Sequence, residues 1–403
     1  MNLHNTKYML GVKEMYGEFC SGCGLCISQN KAQWEKDNKG FLVAASKEKE
    51  FETFCQRVCP SSGTQCSEFE QGAVWGRYTG VYLSHAEDEY IRFQASSGGV
   101  LTSICLFLLE NKMADGIIQT KMDPDNPIGT KTCVSRTKEE LLDCCGSRYS
   151  SSSPLEYIND YLSGNETYVY VGKPCDVTAL RNFAKTDERV DAHIKYMFSF
   201  FCAGAPSEQA NLQLLHKMGC RKEDCVHLRY RGDGWPGYAT ATDSSGGTYQ
   251  LDYRSAWRDT LGRDIRKMCR FCLDGIGEMA DISCGDAWYL GEDNKPVFTE
   301  AAGRNVVFCR TQGGKELFSM AYQAGYVTKS DYPEFEKELP LYQAYQYERR
   351  TTMDTTIFAL KLMGKKYPRY KKELLKSYGK RVGFKHKLSR LKGTMERIAQ
   401  KKI

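Results

Sequence analysis

The order of strand-like and helix-like segments in this 403-residue chain predicts an α/β fold whose core is a mixed, largely parallel sheet. Three observations carry that expectation. From Gly80 onward, short β-branched or aromatic stretches alternate with apolar helical stretches across short loops. Residues 1–75 are polar and rich in cysteine without a long apolar period, so something other than a hydrophobic core must organise them. From Leu341 the pattern turns helical and increasingly basic. Chain length suits roughly two or three domains, and these shifts place the boundaries at 1–75, 76–340 and 341–403.

Each core element has a local reason. Residues 80–86 read as a strand, and Ser96-Ser97-Gly98-Gly99 as a turn that opens an apolar helix from Val100 to about Asn111. Residues 116–121 and 167–171 are β-branched or aromatic strands. After the second, Gly172-Lys173-Pro174-Cys175 leads into a helix over about 176–184. A buried strand follows over 194–201 and closes at Cys202, and a shorter one covers 280–283. Residues 226–262 are turn-rich (Arg231-Gly-Asp-Gly-Trp-Pro-Gly237) and read as an inserted sheet.

Composition excludes several classes. With 41% hydrophobic and 26% charged residues, the chain is neither disordered nor a fibrous repeat. Apolar runs such as 104–109 are too short to span a bilayer, and residues 1–5 lack the start of a secretory leader. A cytoplasmic protein is expected. Residues 361–403 carry 16 Lys and Arg against Glu373 and Glu396, a net +14 that leaves −8 on the rest. Such a tail is either a solvated helical end or an electrostatic dock for an acidic partner or an anionic membrane surface. No regular set of stacking aromatics is interleaved with it, so no nucleic acid is expected.

The 18 cysteines dominate the chemistry. In a reducing compartment clustered thiols hold metal more often than they pair. Cys20-Ser-Gly-Cys23-Gly-Leu-Cys26 places three thiols on one tight loop, and Cys59-Pro60 offers a fourth. That triplet suits a [4Fe–4S] cluster in a small ferredoxin-like domain better than structural zinc, which prefers pairs of C-x2-C. Cys55 and Cys66 are the rival fourth ligands. A second tetrathiolate site combines Cys269-Arg-Phe-Cys272 with Cys175 and Cys202, both at the carboxyl ends of predicted strands. Cys284 is a substitute for one of them. Cys105, Cys133, Cys220 and Cys309 read as small buried hydrophobes.

Electrons arriving singly from clusters need a converter to pairs, and a flavin is the usual one. No G-x-G-x-x-G run is present. The Ser96–Gly99 turn could cradle a pyrophosphate at its helix N-terminus, or could simply be a turn and cap. Arg148, Lys173 and Asp286 could add contacts to the flavin, although single charges of this kind are ordinarily surface groups.

Taken together, these motifs resemble the coenzyme F420 hydrogenase/dehydrogenase beta-subunit family. They are the Cys20–Cys26 run, Ser96-Ser-Gly-Gly-Val100, Gly146-Ser-Arg-Tyr149, Val171-Gly-Lys-Pro-Cys-Asp176, Phe201-Cys-Ala-Gly204, Cys269-Arg-Phe-Cys272 and Ala280-Asp-Ile-Ser-Cys-Gly-Asp-Ala-Trp288. They run in family order over residues 15–325. The resemblance implies an iron–sulfur flavoprotein with FAD at Ser96, Ser97, Gly98, Gly99 and Val100. It implies one [4Fe–4S] cluster on Cys20, Cys23, Cys26 and Cys59, and a second on Cys175, Cys202, Cys269 and Cys272. Cys284 departs from the pattern, standing where a small aliphatic residue is expected. The Gly232–Gly237 loop and the basic tail resemble a bacterial branch. The expected function is transfer of electrons from ferredoxin, or another donor protein, through clusters and FAD to a small organic substrate. The alternatives are a coenzyme F420-oxidising input subunit of a larger complex and a zinc-stabilised interaction protein. No paired carboxylates or lone catalytic histidine stand out, so no proton donor is assigned.

Overall fold

Eight strands form the central sheet in the computed structural model, which describes residues 17–62 and 73–400. Cys66 lies outside the described residues. The N-terminal segment carries α1 (Leu25–Ser28), the hairpin β1 (Gln33–Lys36) and β2 (Leu42–Ala45), and α2 (Lys49–Val58). Then come β3 (Gly80–Ser84), α3 (Glu89–Gln94), α4 (Val100–Glu110), β4 (Gly116–Asp123), β5 (Asn126–Ser135), α5 (Lys138–Asp143), β6 (Tyr168–Gly172), α6 (Pro174–Ala184) and β7 (Ile194–Phe200). After α7 (Glu208–Met218), a separate antiparallel sheet is formed by β8 (Cys225–Arg229), β9 (Tyr238–Asp243) and β10 (Thr248–Asp252). The main sheet is completed by β11 (Ile282–Asp286), β12 (Asn305–Cys309) and the short β13 (Ser330–Asp331).

Its order is β13-β3-β12-β11-β7-β6-β4-β5. The inner strands β11, β7, β6 and β4 are parallel, and antiparallel strands flank them on both sides. The sheet is therefore mixed, with the parallel part at its centre as expected. Strands covered on both faces should be continuously apolar, and β12 is buried at every position. The inserted sheet also falls where the turn-rich segment placed it. The hairpin strand β5 carries Pro127, which is tolerated since β5 is the sheet edge.

The three sequence segments share one core. Phe19, Cys23, Cys26 and Cys55 pack in a single cluster with Tyr170, Val177, Met268 and Phe271 of the α/β region. Residues from α8 (Lys267–Arg270) onward complete the chain: α9 (Ala344–Thr351), α10 (Met353–Leu362), α11 (Lys372–Gly379) and α12 (Phe384–Ala399). Met353, Ile357, Leu360, Tyr367, Leu374, Leu375, Tyr378 and Ile398 join that same cluster. The basic segment thus buries an apolar face against the α/β core and turns its charges outward. Among the described residues no helix is long and apolar enough to cross a membrane.

Candidate functional site

The first thiol set sits on the loop that enters α1. Gly22 and Gly24 have φ of 76° and 92°, a left-handed backbone that glycine adopts without strain. A Cβ on Gly22 would lie 2.7 Å from the Arg266 guanidinium, and one on Gly24 would meet the Glu156 backbone at 2.8 Å. The glycines therefore both wrap the loop and let it dock. Gly22 N–H donates to Cys20 Sγ at 3.3 Å, and Leu155 N–H donates to the Cys23 carbonyl at 2.9 Å. Burial pushes the Cys20 thiol up against the opposing pull of Arg266, and pushes Cys23 well up. Five thiols gather here. Contacts with Cys26 and Cys59 push the Cys55 thiol up, and the contact with Cys55 holds Cys59 below the usual thiol range. Cys55 and Cys59 both stay in reach of the fourth position.

The second set forms at the carboxyl edge of the parallel strands. In β6 and β7, Gly172 pairs with Ser199, so the chain leaves both strands at one level. Cys175 lies in the first turn of α6, and Cys202 follows the end of β7. Cys269 and Cys272 come from α8 and the turn after it. The four face one another: Cys202 and Cys272 act electrostatically on Cys175, and Cys269 on both Cys202 and Cys272. Burial raises Cys202 to about 11 and Cys272 to about 12. Cys284 lies elsewhere, buried in β11 beside Cys309 and Cys105, which removes it as a substitute ligand.

A tetrathiolate site requires its thiols to lose their protons, and buried thiols resist that unless cations compensate. Both sets have such cations. Arg266 donates to the Cys20 carbonyl at 3.4 Å and the Leu42 carbonyl at 2.9 Å. Arg349 of α9 donates to the carbonyls of Cys202 and Cys269, each at 3.2 Å. Gln346 also donates to Cys202 O at 2.9 Å. Lys173 sits beside Cys175 and Cys202, held by Asp176 at 2.8 Å and Ser152 at 2.6 Å. The donor set fits an all-thiolate iron–sulfur cluster at each place. Among the described residues, no group of three or more His, Cys, Asp or Glu is spaced to hold a single metal ion.

The Ser96–Val100 turn lies against the start of β12. Ala86 N–H donates to Gly98 O at 2.7 Å, and Val100 N–H reaches Asn305 Oδ1 at 3.4 Å. Neither serine caps α4: Ser97 Oγ donates to Arg304 O at 3.0 Å, and Ser96 Oγ accepts from Ser147 at 2.7 Å. The cap residue is Gly99, which has no side chain to offer. No side chain of the turn itself caps α4, and its first amide is taken by Asn305 from β12. Asn305 Nδ2 donates to Gly285 O at 3.2 Å, and Phe201 N–H donates to Cys284 O at 2.8 Å. These bonds link the turn through β11 to Cys202.

Two expected flavin contacts are committed elsewhere. Arg148 is a clamp, donating to the carbonyls of Leu228, Pro127 and Gly129 at 2.6–2.8 Å. It ties β5 to β8, a role that buried guanidinium geometry suits. Asp286 accepts from both terminal nitrogens of Arg231, at 2.9 and 3.0 Å, and from Trp235 Nε1 at 2.9 Å. It fixes the loop over 231–237, whose Trp235 stacks on Trp288 with centroids 4.4 Å apart. That loop also reaches α3, the helix before the turn, through Gly234 N–H to Phe93 O at 3.1 Å. Sequence reasoning missed Arg266, Arg349, Gln346 and Asn305. Only Arg266 had a local signal, standing three residues before Cys269.

Comparison with known proteins gives matches across this region. Two family models for the beta subunit of coenzyme F420 hydrogenase/dehydrogenase match: the N-terminal one over residues 81–159 and the C-terminal one over residues 165–334. The coenzyme F420 hydrogenase subunit beta of Methanococcus voltae is 23% identical over 309 residues, covering 73% of this chain and 99% of that one. The chloroplastic 7-hydroxymethyl chlorophyll a reductase of Oryza sativa subsp. japonica is 22% identical over 75% of this chain and 61% of its own length. Among solved structures, a chain of the F420-reducing [NiFe] hydrogenase complex from Methanosarcina barkeri superposes with a TM-score of 0.56. That match has 21% identity and covers 74% of this chain and 98% of that one.

Proposed function

The chain belongs to the coenzyme F420 hydrogenase/dehydrogenase beta-subunit family, and from that premise we propose an iron–sulfur flavoprotein that carries electrons from ferredoxin to a small organic substrate. The chain is an oxidoreductase, as its hydrogenase, formate dehydrogenase and sulfite reductase relatives are. Two [4Fe–4S] clusters would relay single electrons, and FAD would pair them for transfer. The observation that supports this most is the gathering of the eight expected thiols into two groups, each with its own buried cation. In this reading Arg266 offsets the charge of the Cys20–Cys59 set. Lys173 and Arg349 do so for the Cys175–Cys272 set, and the first-turn amides of α4 beyond Val100 would receive the FAD diphosphate. A second reading follows from the names of the archaeal relatives: an input subunit that oxidises coenzyme F420 within a larger complex.

Anaerobically purified protein should contain about eight iron and eight sulfide per chain, and Cys269→Ser should leave about four of each. A count of about four in the unsubstituted protein that Cys269→Ser leaves unchanged removes the second site, and a zinc-only preparation removes both. Faster reduction by ferredoxin than by the reduced deazaflavin supports the first reading; the reverse supports the second.

Replacing Gly98 with Val tests the cradle separately. Its Cβ would lie 2.8 Å from Asn305 Oδ1 and 2.9 Å from the Arg304 backbone, so the turn must shift. The expected outcome is loss of FAD with iron content retained, read by chromatography of the released flavin. Full FAD occupancy in the variant would place the flavin elsewhere.

A further inference from the structure

Cys133 and Cys144 stand apart from both thiol sets, and neither is the inert buried hydrophobe expected of Cys133. Each is only part-buried, and their sulfurs lie 3.5 Å apart. Cys133 projects from β5, and Cys144 ends α5, eleven residues on. Ser135 Oγ lies 3.8 Å from Cys144 Sγ and donates to Glu140 O. The adjacent Cys145 is turned away, with its thiol 3.6 Å from Thr102 Oγ1 and directed at Leu141 O. One pair of thiols is therefore set face to face, and its neighbour is excluded.

We propose that Cys133 and Cys144 are a redox-active dithiol that closes to a disulfide by exchange with a low-molecular-mass organic disulfide. The two thiols have different roles. Cys133 is held below the usual thiol range by the hydrogen bond from Cys144 and by the Lys121 ammonium, against burial and Asp143. Cys144 is pushed up by the same contact and by burial. Lys121 pairs with Asp143 at 3.1 Å, and its side chain is 36% exposed, so solvent reaches this edge. Tyr161 also lies near Cys133. Cys133 is the attacking thiolate. It displaces one thiolate from the organic disulfide and forms a mixed disulfide; Cys144 then loses its proton and displaces the second. In balance, two protein thiols and one disulfide give one protein disulfide and two small thiols. Bond formation brings the sulfurs about 1.5 Å closer, which rotation of exposed-edge side chains can supply. The new bond ties β5 to the loop that carries Ser147, the hydrogen-bond partner of Ser96.

The test uses the whole anaerobically purified holoprotein, incubated with excess oxidised glutathione, alkylated and mapped by mass spectrometry. The expected result is a Cys133–Cys144 cross-linked peptide with the visible absorbance of the protein unchanged. Cys144→Ser should trap glutathione on Cys133, whereas Cys133→Ser should leave Cys144 unmodified. Lys121→Met should slow the reaction by roughly threefold or more, because it lowers the thiolate fraction. Both cysteines still alkylated, a cross-link to Cys145 instead, no adduct on Cys133 in the Cys144→Ser variant, or an unchanged rate without Lys121 would each overturn the assignment.

Discussion

Deleting residues 361–403 should abolish folding of the whole chain. Were those residues a solvated appendage, their removal would cost nothing beyond a charge of +14. Instead Tyr367, Leu374, Leu375, Tyr378 and Ile398 are each at most 9% exposed, and all lie in the cluster that also holds Cys23, Cys26 and Tyr170. Burying a large apolar side chain contributes about 1.5–3 kcal/mol, so five of them contribute on the order of 10 kcal/mol. That matches the whole stability of an ordinary domain, about 5–15 kcal/mol. The cut also removes the Tyr378 hydroxyl that accepts from the buried Arg350. The truncated chain should show no cooperative thermal transition by circular dichroism and should fail to retain iron. A truncation that unfolds cooperatively and keeps its cofactors would show that these contacts are dispensable and would return the segment to the role of an external dock.

The tail shows what the sequence made legible and what it did not. Its helices and its charge were readable, because periodicity and composition are local properties. Which of its faces packs, and against what, depends on partners that the local pattern does not name, such as Arg350, which donates to the Tyr378 hydroxyl, and Phe271, whose carbonyl accepts from Tyr370. The second thiol set was readable for a related reason: a strand end in a parallel sheet has a known place, so Cys175 and Cys202 could be put together from sequence alone. Arg349 and Gln346 could not, since nothing near residue 346 announces that it will reach Cys202. Cys133 failed differently. A lone cysteine in a strand is ordinarily a small hydrophobe, and only the fold brings Cys144 to its side.

Arg350→Met should destabilise the protein by about 3–5 kcal/mol, the ordinary cost of leaving one charge of a buried pair uncompensated. Arg350 and Glu278 meet at 2.9 Å with both side chains fully buried. Burial already raises the Glu278 carboxyl, and Arg350 is the largest influence opposing it. Arg350 also donates to Leu273 O at 2.9 Å, immediately after Cys272. The pair therefore fixes the segment that presents Cys272, while its neighbour Arg349 faces the thiols themselves. The charge argument separates the two roles. A double Glu278→Gln, Arg350→Met variant removes both members of the pair, leaves the buried Arg310 and Asp274 as opposite charges beside each other, and should recover most of the loss in denaturant midpoint. If the damage came only from the missing Leu273 contact, the double variant would be no more stable than the single one. Iron content then reports the local consequence: the single variant should lose the proposed Cys175–Cys272 cluster before the proposed Cys20–Cys59 cluster, because only the former would depend on where residue 272 is held.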